Sequence, residues 1–130
     1  MNGRLKVLIA DDDRLFLASL RALIDRQPEL AVVASARNGL EAIEFAESVH
    51  PDAAVIDLHM PLLDGVSAVT RLRRDHPSLC LIVLTGDSDA SLHAAARGAG
   101  ADAVLEKHEF ARGLVDRLAG LRGGSGEGRT

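Results

Sequence analysis

The chain has 130 residues, a formal net charge of −4, 47% hydrophobic residues and 26% charged residues. These values are typical of one folded domain with its own core, and they exclude a disordered chain. The slight acidity argues against direct binding to nucleic acid or to an anionic membrane. Because tryptophan and tyrosine are absent and phenylalanine occurs three times, a stacking surface for bases or sugars is also excluded.

The sequence also indicates a compartment. The single cysteine, Cys80, cannot form an intramolecular disulfide, which fits a reducing environment. No apolar run approaches the roughly 18 residues of a membrane helix. The first residues lack the pattern of a signal peptide. We therefore expect a cytoplasmic protein.

Five short apolar runs alternate with five segments in which apolar residues recur at helical spacing. The runs predict strands at residues 5–10, 30–34, 53–58, 79–84 and 103–105. The segments predict helices at residues 15–27, 39–49, 66–74, 88–97 and 110–121, with Leu40 and Ile43 on the inner side of the second. This alternation predicts a doubly wound α/β fold, with a five-stranded parallel sheet and helices on both faces. Residues 1–122 would form the domain, and the glycine-rich residues 123–130 a flexible tail or linker.

Reactive side chains follow four of the five predicted strands. In an open parallel sheet, ligands bind beyond the carboxyl ends of the strands. The side chains at these ends belong to Asp11, Asp12 and Asp13, to Asp57, to Thr85, and to Glu106 and Lys107. Carboxylates that converge on one crevice repel one another unless a cation joins them. Oxygen ligands without thiolates or paired histidines select a hard divalent ion, so the pattern predicts Mg²⁺.

A phosphate group fits the same crevice. Mg²⁺ held by one or two carboxylates keeps coordination positions that a phosphate can fill. Lys107 and Thr85 offer a positive charge and a hydroxyl group to phosphoryl oxygens. Asp57 follows the central apolar run alone, which makes it the candidate nucleophile for an aspartyl phosphate.

Four segments, in this order, resemble the receiver domains of bacterial two-component response regulators. They are residues 7–13, residues 56–61 with 64–65, residues 83–86 and residues 100–107. The resemblance covers residues 4–121. Residues 31–38 and 71–77 are most similar to the subgroup whose receivers often precede a helix-turn-helix DNA-binding domain. The resemblance implies the flavodoxin-like strand order 2-1-3-4-5.

The resemblance also implies a site and a donor. The Mg²⁺ ligands that it implies are Asp11, Asp12, Asp57 and the backbone carbonyl of His59. A histidine kinase or a histidine phosphotransfer protein would transfer a phosphoryl group to Asp57. Thr85 and Lys107 would then rearrange around that group.

Further expectations from the resemblance concern partners and activity. Kinase docking would lie near the first helix, and a possible homodimer would use the fourth helix, the fifth strand and the fifth helix. The chain would be a signalling module rather than an enzyme. Its own chemistry would be limited to self-phosphorylation and autodephosphorylation.

Three positions depart from the family's pattern. Val104 stands where the family usually has an aromatic switch residue, and His108 stands where proline usually follows the lysine. Gly86 stands where alanine often follows the hydroxyl residue. The residues for phosphorylation are complete, but Val104 cannot swing between aromatic rotamers. The departures therefore bear on the readout of the signal.

Two other functions fit parts of the sequence. Val104 and His108 suggest a receiver-like module that binds partners without phosphate. A phosphohydrolase of the haloacid-dehalogenase type would use Asp11 as the nucleophile, paired with Asp13 two residues later. Arg14 departs from the pattern of that family. Asp13 is also expected to cap the following helix.

Overall fold

The computed structural model describes residues 3–86, 88–109, 113–118 and 120–121. Its strands are β1 (Leu5–Ala10), β2 (Leu30–Ala36), β3 (Ala53–Asp57), β4 (Cys80–Thr85) and β5 (Ala103–Glu106). Its helices are α1 (Arg14–Asp25), α2 (Gly39–Val49), α3 (Gly65–Asp75) and α4 (Ala90–Ala99), and a short 3-10 helix follows at Lys107–Glu109. Residues 113–118 and 120–121 are also helical. The start of the predicted fifth helix, residues 110–112, and the predicted tail, residues 123–130, lie outside the described residues.

The strands form one parallel sheet in the order β2-β1-β3-β4-β5. This confirms the predicted doubly wound α/β fold and the flavodoxin-like strand order. The chain builds outward from β1 to β2 and then crosses back to β3, so the order reverses between β1 and β3. The loops that leave β1 and β3 diverge there and open a crevice at the carboxyl ends of the strands.

Two apolar clusters cover the two faces of the sheet. Successive strand residues point to opposite faces. Leu8 therefore packs with side chains of α2, α3 and α4, whereas Val7 and Ile9 pack with α1 and with Leu114 and Leu118. This arrangement confirms helices on both faces and explains the nearly continuous apolar sequence of the strands. None of the described helices is long and apolar enough to cross a membrane.

Each of the four helices begins at a capping side chain. Asp13, Asn38, Asp64 and Asp89 accept hydrogen bonds from backbone N–H groups of the first turn. Such caps satisfy donors that the helix leaves unpaired and contribute about 1 kcal/mol each. Asp13 therefore caps α1, as its position in the sequence indicates.

The predicted inner side of α2 was partly wrong. Leu40 is 43% exposed, and the buried residues of α2 are Gly39, Ala42 and Ala46. A side chain at position 39 would overlap the backbone of Leu63 in the loop after β3, so the start of α2 packs closely against that loop. The buried side of α2 consists of small residues and Leu40 lies outside it, a result that apolar periodicity alone does not predict.

Arg73 on α3 joins the amino end of the sheet to α4. Its Nη1 atom donates a hydrogen bond to Leu79 O at 2.9 Å, and its Nη2 atom donates one to Gly100 O at 2.8 Å. The Nη2 atom also lies 2.8 Å from Asp102 Oδ2. One guanidinium group thus links α3, the start of β4 and the turn between α4 and β5.

Arg73→Lys is expected to lower the free energy of unfolding by about 1–2 kcal/mol, because an ammonium group cannot reproduce this planar set of donors. Arg74→Lys is the matched control, since the Arg74 side chain is exposed and pairs with the adjacent Asp75 at the surface. Urea denaturation of both variants checks the prediction. Equal effects of the two substitutions would contradict the linking role of Arg73.

Candidate functional site

The carboxyl ends of β1 and β3 bring Asp11 and Asp57 together at the crevice. The two strands pair in register up to Ala10 and Ile56, and each aspartate is the next residue. The N–H of Asp11 donates to Ala36 O at 3.1 Å, which holds the chain leaving β1 against β2. Neighbouring strands lie about 4.8 Å apart, so residues at matching positions are neighbours.

The loop after β3 fixes the backbone of Asp57. The N–H of Leu58 donates to Leu84 O at 3.1 Å, and the N–H of Gly65 donates to Leu58 O at 2.9 Å. A Cβ atom at position 65 would lie 2.5 Å from Asp57 O, so α3 can start this close only with glycine there. The backbone of Asp57 is therefore held from both β4 and α3.

Three carboxylates converge at this edge of the sheet. One oxygen from each of Asp11, Asp12 and Asp57 lies within 4.8 Å of the others. Asp11 and Asp57 are buried, with 1% and 4% of their surfaces exposed, whereas Asp12 is exposed. Like charges this close in a largely buried site are unfavourable unless a cation accompanies them.

Lys107, the residue after β5, brings a positive charge to the three carboxylates. Its Nζ atom lies 2.8 Å from Asp11 Oδ2 and 3.3 Å from Asp57 Oδ1. Burial alone would lower the pKa of Lys107, but its contact with Asp11 and the charges of both aspartates outweigh burial and raise that pKa. The ammonium group therefore stays protonated at physiological pH.

The environment of Asp57 makes its carboxyl group a weaker acid than usual. Burial raises the pKa of Asp57 to about 6, and the negative charge of Asp11 adds to this effect. The charge of Lys107 opposes the rise without cancelling it. At neutral pH Asp57 is mostly ionised, so it offers a nucleophilic oxygen.

The donor set fits a hard divalent cation such as Mg²⁺. All three converging side chains are carboxylates, the ligand type that Mg²⁺ prefers in proteins. Asp11 Oδ2 is buried and accepts no hydrogen bond of suitable geometry from the described residues. The ion pair with Lys107 is its close polar contact. This atom therefore keeps the capacity to bind a cation.

The other predicted site residues lie around these carboxylates. Thr85 ends β4 and is fully buried, one residue beyond Leu84, which pairs with Asp57. His59 is exposed two residues after Asp57. Val104 on β5 is half-buried and packs against the apolar cluster on the side of α2, α3 and α4. The catalytic role of Thr85, the ligand role of the His59 carbonyl and the switch role of position 104 stay predictions.

One contact of the site was missed by sequence reasoning: the contact between Lys107 and the ring of Phe16 on α1. The Nζ atom of Lys107 lies 4.3 Å from the centroid of the Phe16 ring. The two residues come from the first helix and from the end of the last strand. No periodicity or motif in the sequence pairs these two positions, so the sequence carries no signal for this contact.

The strand order, the crevice and the carboxylates with their lysine define a class: flavodoxin-like α/β proteins with an acidic site suited to a divalent cation. The family model described as the response regulator receiver domain matches residues 7–119. This chain belongs to that family, the receiver domains of two-component regulatory systems.

Curated relatives carry a matching domain within longer proteins. The transcriptional regulatory protein LnrK of Bacillus subtilis (strain 168) is 33% identical over 120 residues, which cover 92% of this chain and 54% of LnrK. Protein-glutamate methylesterase/protein-glutamine glutaminase 4 of Myxococcus xanthus (strain DK1622) is 36% identical over 107 residues, which cover 82% of this chain and 30% of that protein. The chain thus spans about half the length, or less, of these relatives.

Among solved structures, the isolated REC domain of RcsB from Salmonella enterica serovar Typhimurium, in the presence of phosphomimetic BeF3−, superposes with a TM-score of 0.85. It is 25% identical, and the match covers 93% of this chain and 90% of that one. The response regulator domain of CheB from Thermotoga maritima gives a TM-score of 0.84 at 26% identity and covers 92% and 97% of the two chains.

Proposed function

We propose that this chain is the phosphoacceptor module of a phosphorelay and that Asp57 accepts the phosphoryl group. The observation that carries the proposal is the convergence of Asp57 with Asp11, Asp12 and Lys107. Three carboxylates lie within 4.8 Å of one another, and an ammonium group lies 3.3 Å from Asp57 Oδ1. The donor is a phosphohistidine of a sensor histidine kinase or of a histidine phosphotransfer protein.

The transfer exchanges a P–N bond for a P–O bond. An oxygen of ionised Asp57 attacks the phosphorus, the bond to the donor imidazole breaks, and the imidazole nitrogen keeps the electron pair. A pKa of about 6 leaves Asp57 mostly ionised at neutral pH, so no base is needed to activate it. The product is an acyl phosphate, whose hydrolysis restores the carboxylate.

Positive charge at the phosphoryl oxygens stabilises the transfer. When bound, Mg²⁺ supplies such charge, and its ligands in this proposal are Asp11, Asp12, Asp57 and the backbone carbonyl of His59. Lys107 supplies a second positive charge, because its Nζ atom can exchange Asp57 Oδ1 for a phosphoryl oxygen. Thr85 donates its hydroxyl group to another of these oxygens.

The output of the module is a change in its protein contacts. Phosphorylation alters the charge next to Thr85, the last residue of β4, and next to Lys107, the residue after β5. The surface formed by α4, β5 and the C-terminal helical residues is then the face that changes, and homodimerisation through it is part of the proposal. Val104 transmits the change through packing, since it cannot act as an aromatic switch. The proposal also includes a cytoplasmic location and no direct nucleic-acid contact by this domain.

The contacts around Asp13 favour this function over that of a phosphohydrolase with Asp11 as nucleophile. Asp13 Oδ1 accepts the N–H groups of Leu15 and Phe16 at 3.0 and 3.2 Å, so this carboxylate is committed to capping α1. Asp11 Oδ1 accepts the N–H of Asp13 at 2.9 Å, and Asp11 Oδ2 pairs with Lys107. Asp13, the second residue of the Asp-x-Asp pair, is therefore engaged in the helix cap and is not free for that chemistry.

Incubation with acetyl phosphate and Mg²⁺ tests the proposal. Intact-mass analysis is expected to detect one added phosphoryl group on the wild-type chain and none on Asp57→Asn. Asp25→Asn is the matched control, because Asp25 is an exposed partner of Arg21 on α1, and it should be labelled as the wild type is. Peptide mapping after borohydride reduction should locate the label at Asp57.

Three results would contradict the proposal. A label on Asp11 would establish the phosphohydrolase mechanism instead. Labelling of Asp57→Asn would exclude Asp57 as the acceptor. A wild-type chain that takes up no phosphoryl group, from acetyl phosphate or from a phosphohistidine donor, would favour the module that binds partners without phosphate.

A further inference from the structure

We propose that Phe16 is a positioning residue for Lys107, and that its ring holds the ammonium group at the site carboxylates through a cation–π contact. The inference rests on the proposed function, because the position of Lys107 matters most when Asp57 receives a phosphoryl group. It adds a residue of α1 to the groups that organise the transfer.

The ammonium group of Lys107 has partners on two sides. Its Nζ atom lies 4.3 Å from the centroid of the Phe16 ring, well within the roughly 6 Å over which a ring face attracts a cation. The same atom lies 2.8 Å from Asp11 Oδ2 and 3.3 Å from Asp57 Oδ1. The side chain is 24% exposed, so water competes only partly with these contacts.

The start of α1 fixes the ring of Phe16. The N–H of Phe16 donates to the capping carboxylate of Asp13 at 3.2 Å, and the ring packs against the apolar cluster of α1. The segment that carries Asp11 and Asp12 thus also carries the ring, a few residues later. The helix cap therefore holds the backbone that positions both the carboxylates and the ring.

Of the three partners of Lys107 named here, the ring is the one that neither accepts the phosphoryl group nor serves as a proposed Mg²⁺ ligand. The side chain of lysine is long and flexible, and confining it costs entropy. When a phosphoryl group is attached to Asp57, the Lys107–Asp57 pair must be replaced by a contact with the new group. The Phe16 ring attracts the ammonium group before and after that exchange, so Lys107 need not be recaptured from solvent.

Lysine NMR tests the contact directly. The chain contains two lysines, Lys6 and Lys107, so selectively labelled lysine gives two side-chain signals. Lys6 Nζ donates to Val49 O at 2.9 Å near the opposite end of the sheet and serves as the internal reference. The ε-methylene protons of Lys107 should be shifted upfield by the ring in the wild type. Phe16→Leu should abolish this shift, and Phe16→Tyr should retain it.

Phosphorylation rates test the consequence. With acetyl phosphate and saturating Mg²⁺, Phe16→Leu should react about two- to tenfold more slowly, the range that a partly desolvated cation–π contact supplies. Phe16→Tyr should stay close to the wild type, because tyrosine keeps the attractive ring face. Phe45→Leu is the matched control, since Phe45 is a half-buried phenylalanine on α2 that packs on the other face of the sheet.

A ring-fluorinated phenylalanine at position 16 separates electrostatics from shape. Replacing all five ring hydrogens with fluorine reverses the charge of the ring face while nearly preserving its size, so this variant should be at least as slow as Phe16→Leu even though it packs as the wild type does. Thermal melting verifies that each variant is folded.

The inference is overturned if the Lys107 signal has no upfield shift in the wild type. It is also overturned if the fluorinated variant reacts at the wild-type rate, or if Phe16→Tyr is as slow as Phe16→Leu. A wild-type chain that takes no phosphoryl group overturns the proposed function. In that case the Lys107 shift still decides whether Phe16 holds the ammonium group.

Discussion

Lys107→Met is expected to destabilise the metal-free protein by about 3 kcal/mol near neutral pH, the lower end of the range for removing one partner of a buried ion pair. Asp11 and Asp57, at 1% and 4% exposure, would be left facing each other without their ammonium partner. The loss stays at the lower end because Asp57 can take up a proton and relieve part of the repulsion. Urea denaturation in the presence of a chelator measures the change.

Lys6→Met is the matched control for this prediction. Lys6 Nζ donates one hydrogen bond to Val49 O and takes no part in the acidic site, so its loss should cost about 1 kcal/mol. Adding Mg²⁺ should recover much of the stability of Lys107→Met, because a cation again accompanies the carboxylates. Lys107→Met and Lys6→Met variants of equal stability would show that the ion pairs of Lys107 do not compensate the buried charges.

Asp57→Asn is expected to stabilise the metal-free protein by about 1–3 kcal/mol near neutral pH, although under the proposed function it also abolishes phosphorylation. Burial raises the pKa of Asp57 from 3.8 to about 6, and the charge of Asp11 contributes. The folded state therefore binds the proton more tightly than the unfolded state does. A shift of this size corresponds to about 3 kcal/mol at most, and the buried amide that replaces the carboxylate offsets part of it.

The stability difference between Asp57→Asn and the wild type should depend on pH. The stabilising effect of protonated Asp57 is fully present below about pH 4 and is lost as the pH rises through about 6. The advantage of Asp57→Asn over the wild type should therefore be largest above about pH 6 and should shrink as the pH falls towards about 4. Thermal denaturation across this range, in a chelator, measures both proteins.

The same melting experiment is repeated with added Mg²⁺ and with a control substitution at the protein surface. Mg²⁺ should raise the melting temperature of the wild type and have much less effect on Asp57→Asn, which lacks one of the proposed carboxylate ligands. Asp25→Asn, at an exposed position of α1, should show neither the gain in stability nor its pH dependence. An Asp57→Asn variant that is less stable than the wild type at neutral pH would show that the negative charge of Asp57 does not destabilise the folded protein.

The fold and much of the site follow from local sequence. Each strand was predicted because an apolar run lies between turn residues, and Asp11 and Asp57 were predicted to meet because each follows a strand of a parallel sheet. The inner side of α2 was not predicted correctly, since the close approach at Gly39 depends on a loop from elsewhere in the chain. The links made by Arg73 and the ring contact of Phe16 are likewise tertiary. These contacts join helices and strands that are distant in the sequence, whereas apolar periodicity describes each helix or strand separately.

The net charge of the site affects how readily an anionic phosphoryl donor can approach it. Asp11, Asp12 and Asp57 together with Lys107 carry two net negative charges when all four groups are ionised, which is the charge that one divalent ion neutralises. Phosphoryl donors are themselves anions, and a doubly negative crevice repels them. If the proposed function holds, the metal-free site repels incoming phosphoryl donors, and a bound divalent cation removes that repulsion. The availability of divalent cations would then set both how fast the bound donor reacts and how often a donor reaches the site.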